Sequence, residues 1–111
     1  MKVSDLKDLE GFSLINEGVN TQKEIKGCYI SDLLSWVMGH AKQDDAWITI
    51  MSHLNIIAVA SLLELSCIII AEGEMPDEET INKATENDVA LVSYAHTAFD
   101  AAKILIAGNV Q

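Results

Sequence analysis

Polar and titratable side chains follow three predicted buried strands, at the point where each strand ends. The candidate ligand-binding residues are Ser52, His53 and Asn55 after the first strand, Glu72 and Gly73 after the second, and Ser93, His96 and Thr97 after the third. Ligands of an open parallel sheet sit beyond the carboxyl ends of its strands. Two of these turns also open helices, whose free N–H groups favour phosphate or carboxylate. The sequence therefore predicts a small anionic ligand, and it leaves open that Ser52 and Thr97 are ordinary helix caps.

The histidines of this group offer the widest chemistry. His53 and His96 would add positive charge to an anion site when protonated. An enzyme that uses either one as a base is the least favoured interpretation, because the chain has no GxxxxGK[ST] loop, GxGxxG fingerprint or GxSxG elbow. The histidines also lack HxxxH spacing and the cysteines lack CxxC spacing. We therefore predict no catalytic residue, no metal site and no cofactor.

The charge of the chain excludes two classes of partner. It carries 17 acidic and 7 basic residues, for a formal net charge of −10. Nucleic acid and anionic membrane surfaces would both be repelled, so we expect neither as a partner. The acidic surface either serves solubility or docks on a basic patch of a protein partner. The polar start of the chain and the lack of a long apolar run predict a cytoplasmic protein.

Alternating strand and helix patterns predict one α/β domain over residues 1–111. Strands are expected at 46–50, 67–71 and 89–92, and helices at 53–65, from 76 onward and at 97–108. This β-α-β-α-β-α order predicts a mostly parallel sheet with right-handed crossovers.

The first half adds a helix at 3–9, strands at 12–15 and 25–30, and a helix that Ser31 or Asp32 caps and that ends near residue 39. In the last helix of the chain, Phe99, Leu105 and Ile106 are expected to face inward.

One helix, within residues 54–65, is apolar on every side, whereas a helix on a sheet should keep a polar stripe. A second surface must cover it, because each exposed aliphatic side chain would forfeit about 1.5–3 kcal/mol of burial free energy. We favour a homodimer, since a two-fold axis lets one apolar patch cover itself, and the alternative is cover by the N-terminal part of the same chain. The predicted interface residues are Ile56, Ile57, Val59, Ala60 and Leu63, joined by Trp36.

The chain has two cysteines, Cys28 and Cys67, and the second opens an apolar run. Two buried, reduced thiols are the simplest expectation for a protein in a reducing compartment. A disulfide between them stays open at this point, because spacing alone does not decide whether their Cα atoms come close enough.

Several segments resemble the small stand-alone DRTGG-domain proteins. They are residues 27–41 (GCYISDLLSWVMGHA), 47–50 (WITI), 55–65 (NIIAVASLLEL), 68–73 (IIIAEG) and 76–80 (PDEET). Residues 3–25 are similar to the start of the HPr kinase N-terminal domain, a relative of that family. Together these segments are spread over residues 3–80. Residues 51–55 (MSHLN) stand where the family's turn would follow the strand, and they lack its acidic and arginine side chains.

The resemblance implies a three-layer α/β domain, often dimeric, that acts as a regulatory module. Family members occur fused to CBS-domain pyrophosphatases and to phosphotransacetylases. The resemblance does not imply kinase activity, because the kinase loop of the related enzymes belongs to another domain. Stand-alone members accompany iron hydrogenase systems, which implies a redox partner. We therefore expect a non-catalytic ligand-sensing module, with an assembly subunit that docks on a larger redox or carbon-metabolism enzyme as the alternative.

Overall fold

A five-stranded sheet organises the chain, and helices cover both of its faces. The computed structural model describes residues 1–111. Its elements are α1 (Val3–Leu6), β1 (Phe12–Leu14), β2 (Gly27–Ile30), α2 (Leu34–His40), β3 (Asp45–Thr49), α3 (Asn55–Leu63), β4 (Cys67–Ile70), α4 (Glu78–Glu86), β5 (Leu91–Tyr94) and α5 (Ala98–Ala107). The predicted α/β class is confirmed. No helix is long and apolar enough to cross a membrane.

The strands lie in the order β1-β5-β4-β3-β2. Strands β2, β3, β4 and β5 are parallel to one another. Strand β1 is an edge strand and pairs with β5 in the antiparallel direction. From β2 to β5, each strand is followed by its immediate neighbour in the sheet, always in the same direction. Crossover connections of the same handedness therefore place α2, α3 and α4 on one face. Helices α1 and α5 pack on the other face, which completes the three predicted layers.

The core consists of two side-chain clusters, one on each face of the sheet. Along β4, Cys67 and Ile69 face α1 and α5, whereas Ile68 and Ile70 face α2 to α4. All four side chains are fully buried. A strand that is covered on both faces has no polar side, which explains why its sequence shows no alternation.

Most of the apolar α3 is covered within the single chain. It lies between α2 and α4 and against the sheet, so three of its sides are buried. Ile56, Ile57, Val59 and Ala60 are core residues, and the prediction that they form a dimer interface is wrong. The sequence of α3 is apolar on several sides because α3 is the central helix of its layer.

The other two predicted interface residues remain accessible, because Leu63 is half-buried and Trp36 is exposed. The remaining side of α3, which carries Ala58, Ser61 and Leu62, stays exposed. Homodimerisation itself stays a prediction.

Pairing with β1 extends β5 beyond its predicted end. The strand runs to Tyr94, so Ser93 is a strand residue opposite Ser13 and Ile70, and its predicted place in the following loop is wrong. The rings of Phe12 and Tyr94 pack with their centroids 4.3 Å apart. The antiparallel edge strand supplies this partner, and the sequence pattern alone did not reveal it.

Helix α5 buries a narrower stripe than expected. Leu105 and Ala101 are buried, but Phe99 is 72% exposed and Ile106 is 68% exposed. Unlike α3, this helix has no long helix on either side, so it buries only the side chains that face the sheet. Thr97 and Gly108 stand at its two ends as predicted.

Cys28 and Cys67 cannot form a disulfide in this fold. Both are opposite Ala46, one on β2 and the other on β4. Their Cα atoms are therefore two strand spacings apart, roughly 9–10 Å. A disulfide requires a Cα separation below about 7 Å, so both residues are free thiols.

Asn16 has a structural role that the sequence does not reveal, since it lies between the two strands expected at 12–15 and 25–30. Its side chain is buried. The amide nitrogen Nδ2 donates to the carbonyl of Val89 at 2.8 Å, and Oδ1 accepts from the N–H of Leu91 at 2.8 Å. This bidentate contact fixes the chain after β1 against the start of β5.

We expect Asn16→Ala to lower the free energy of unfolding by about 1–3 kcal/mol, because it leaves a buried carbonyl and a buried N–H without partners. Urea denaturation measures the change. The matched control is Asn82→Ala on the exposed surface of α4, which should alter stability by less than about 0.5 kcal/mol. Equal effects of the two substitutions would contradict this role for Asn16.

Candidate ligand site at the carboxyl edge of the sheet

The carboxyl ends of β2, β3, β4 and β5 lie side by side along one edge of the sheet. Four loops leave this edge, namely residues 31–33, 50–54, 71–77 and 95–97. We call these loops together the carboxyl edge. They contain all the predicted ligand-binding residues except Ser93 in β5 and Asn55, which begins α3.

Hydrogen bonds join the first two loops and tie the third loop to the end of β3. Oδ1 of Asp32 accepts from the Oγ1 hydroxyl of Thr49 at 2.7 Å and from the N–H of Ile50 at 2.9 Å. The N–H of Ala71 donates to the carbonyl of Thr49 at 2.9 Å. Asp32 therefore links two loops and does not cap α2, whose N-terminal residue Leu33 has no side-chain cap. The predicted cap at Asp32 is wrong for this reason.

The turn at Glu72 and Gly73 is occupied by the neighbouring loop. Both residues have left-handed backbone, with φ of 63° and 72°. The N–H of Glu72 donates to the carbonyl of His96 at 2.7 Å, and that of Gly73 donates to the carbonyl of Tyr94 at 2.9 Å. These two N–H groups are already paired, so this turn offers an anion no backbone donor.

The N-termini of α4 and α5 are also occupied. Asp77 caps α4 by accepting from the N–H of Thr80 at 2.9 Å, and this bond holds the pKa of the Asp77 carboxyl below its ordinary value. Thr97 caps α5 by accepting from the N–H of Asp100 at 3.1 Å. Acidic residues stand in the first turn of both helices. An added anion would meet negative charge at either position.

The N-terminus of α3 differs from the other two. Its N-terminal residue is Leu54, no side chain caps it, and its first turn contains no acidic residue. The backbone N–H groups of Ser52, His53 and Leu54 have no acceptor within the chain. The prediction that Ser52 caps this helix is therefore wrong, and unpaired donors stand beside the exposed side chains of His53 and Asn55. This arrangement suits an anion, because oriented N–H groups and the helix dipole both favour negative charge.

His96 lies in a different place, on the side of the sheet covered by α5. It borders a groove of about 510 Å³, whose lining also includes Glu10, Tyr94, Asp100 and Lys103. Burial and the nearby carboxylates of Asp100 and Glu10 raise the pKa of Tyr94. The groove brings two carboxylates together with one lysine, so it does not favour an anion.

The structure thus divides the predicted site. Ser52, His53 and Asn55 stand together at α3, whereas His96 and Thr97 belong to the α5 side. No group of three or more histidine, cysteine or carboxylate side chains is placed to hold a metal ion.

Comparison with known proteins identifies the fold. No family model matches the chain, and the search of curated proteins finds no match. The chain is similar to a solved structure of the CBS and DRTGG domains from the regulatory region of Clostridium perfringens pyrophosphatase, in complex with its activator, diadenosine tetraphosphate. The TM-score is 0.71 at 17% identity, and the match covers 94% of this chain and 45% of that one. The chain therefore has a DRTGG-like fold and spans less than half the length of that structure.

We expect the two residues that the sequence suggested as caps to respond differently to alanine. Thr97→Ala should lower the free energy of unfolding by about 0.5–2 kcal/mol, because it leaves a helix N–H without its acceptor. Ser52→Ala should change it by less than about 0.5 kcal/mol, since its side chain caps nothing. Thermal or urea denaturation measures both, and a larger loss in the serine variant would contradict the assignment.

Both thiols should be unreactive in the folded protein. Burial raises the pKa of Cys28 and Cys67 from 9.0 to about 12, so the nucleophilic thiolate forms only in strongly alkaline solution. Titration with Ellman's reagent at mildly alkaline pH should detect no thiol in the native state and two after denaturation in guanidinium chloride. Rapid reaction of either thiol in the native protein would contradict this prediction.

Proposed function

We propose that this chain is a non-catalytic regulatory module that senses a small anionic ligand at the N-terminus of α3. The observation that carries the proposal is the set of unpaired N–H groups at Ser52, His53 and Leu54. The other long helices that begin at the carboxyl edge are already capped. The ligand class is a compact phosphoryl or carboxylate group, since such a group can accept several N–H bonds at once.

The side chains around α3 add donors to this backbone site. The imidazole of His53 and the side-chain amide of Asn55 are exposed and can donate to an anion. A helix N-terminus stabilises an anion by about 0.3–1 kcal/mol at an exposed site, so these side chains are needed to give useful affinity. The site we propose consists of Ser52, His53 and Asn55, and it leaves out the other predicted residues because their donors are occupied or lie on the α5 side.

The structural neighbour supports the regulatory part of the proposal. That protein carries a similar fold within a regulatory region, and its activator is a polyphosphate nucleotide. A regulatory role also agrees with the lack of nucleotide-binding and nucleophile motifs in the sequence.

A ligand at α3 would be sensed through the neighbouring loop. Residues 50–54 carry the proposed ligand donors, and the N–H of Ile50 is bonded to Asp32 in the loop that leads into α2. An anion that orders residues 52–54 would therefore restrain the Asp32 contact as well. The consequence is a path from the ligand to the exposed surface of α2.

Titration with tripolyphosphate and with diadenosine tetraphosphate, followed by amide NMR, tests the proposal. We expect the largest shifts at the N–H groups of residues 52–55. A ligand at 100 times its dissociation constant should raise the free energy of unfolding by about 2.7 kcal/mol, which thermal denaturation detects. Shifts centred on His96 and Lys103, or no shift with either compound, would contradict the site.

Ser52→Asp should weaken binding about tenfold or more, because its carboxylate occupies the N–H groups and repels the ligand. The matched control is Ser13→Asp, which adds the same charge on exposed β1 and should leave affinity within about twofold. Calorimetric titration of the same compounds measures both variants. An equal loss in the two variants would indicate a general charge effect and no specific site.

A further inference from the structure

We propose that the carboxyl edge and the adjoining face of α2 dock a protein surface that has an apolar centre and a basic rim. This goes beyond ligand sensing, because it identifies the surface through which a signal would leave the module. The docking surface consists of Ile30, Leu33, Trp36, Ile50, Leu54 and Met75. These side chains are between 37% and 59% exposed.

Contacts between the loops make this surface continuous. Ile30 ends β2 in register with Ile48 of β3, and Ile50 follows two residues later. Asp32 bonds to the N–H of Ile50 at 2.9 Å, which brings the loop that carries Leu33 against it. Trp36 follows Leu33 by one turn, and its N–H donates to the Leu33 carbonyl at 3.0 Å. The apolar side chains therefore stand on loops that touch one another.

The far end of the surface reaches α4. Leu54 borders a groove together with Glu78 and Glu79 at the start of that helix. Met75 lies in the loop directly before it, on the same edge. Six of the ten exposed large apolar side chains of the chain thus belong to this surface. Concentrated apolar exposure of this kind marks an interaction site, whereas scattered exposed residues do not.

Two contacts hold the surface in shape before any partner binds. The indole of Trp36 stacks on the imidazole of His40 with 4.3 Å between the ring centroids. Trp47 donates from Nε1 to the carbonyl of Ser31 at 2.9 Å, which fixes the loop beneath Leu33. A tryptophan that is already ordered loses little conformational entropy on binding, and such residues anchor many interfaces.

The charge around the surface decides which partner fits. The four loops of the carboxyl edge contain Asp32, Glu72, Glu74 and Asp77 and no lysine, and the chain has no arginine. Lysines 23, 26 and 42 precede β2 and β3, at the opposite edge of the sheet. A second copy that presented the same surface would place carboxylates against carboxylates. Electrostatic complementarity therefore selects a partner with lysine or arginine around an apolar centre.

Site-specific photo-cross-linking in the native cell provides the test. A benzoylphenylalanine at exposed position Ser35, beside Trp36, captures the partner, which mass spectrometry identifies. We expect a protein with a basic surface, and its purified form should bind the wild-type chain with an affinity that falls as salt rises. No captured protein, a second copy of this chain, or a partner whose affinity is independent of salt would overturn the proposal.

Matched double variants then locate the contact by biolayer interferometry. Leu33→Ser with Ile50→Ser should weaken binding of the identified partner about tenfold or more. Phe99→Ser with Ile106→Ser removes comparable exposed apolar area from α5 and should leave affinity within about twofold. Glu72→Gln with Glu74→Gln should slow association and flatten the salt dependence.

Circular dichroism melts confirm that each variant is folded, which is expected because all six positions are solvent-accessible. Equal losses in the two serine variants would overturn the proposal. The Ser52→Asp variant separates this proposal from ligand sensing, because it should lose tripolyphosphate binding and still dock the partner in the absence of ligand.

Discussion

Burial of β3 and β4 on both faces is the constraint on which the rest of the structure depends. Trp47, Ile48, Ile68 and Ile69 have no exposed surface, so neither strand can shift by one residue without exchanging its two faces. Their register in turn fixes where each strand ends. All four parallel strands therefore end at a common edge, where both proposed binding surfaces lie.

Hydrogen bonds tie neighbouring loops of this edge to one another. Asp32, the turn at Glu72 and the loop at His96 form a series of contacts from β2 to β5. Because a paired N–H cannot also bind a ligand, these contacts remove the turn at Glu72 and Gly73 as an anion site. The start of α3 keeps unpaired N–H groups at Ser52, His53 and Leu54, and it differs in this from the starts of α4 and α5, which are capped.

The two proposals use adjacent parts of the same edge and opposite electrostatics. An anion is favoured only where oriented N–H groups outweigh the surrounding carboxylates, and for this reason we propose α3 as its site. A protein partner contacts the edge as a whole and meets its net negative charge. Residues 50–54 belong to both regions, since they carry the unpaired donors and two of the exposed apolar side chains. This shared loop gives a ligand a direct physical means to alter docking.

By itself, the sequence determined the α/β class, the parallel order of the later strands and the Thr97 cap, because periodicity and capping are local signals. Only the tertiary structure decided that α3 is the central helix of its layer, that β5 pairs with β1 and runs to Tyr94, and that Asp32 and Asn16 bond to distant backbone. Each of these features depends on which segments pack side by side, and a local sequence pattern does not specify that. His53 and His96 lie apart for the same reason. They stand beside helices on opposite faces of the sheet, and the face that a helix covers depends on the path of the whole chain.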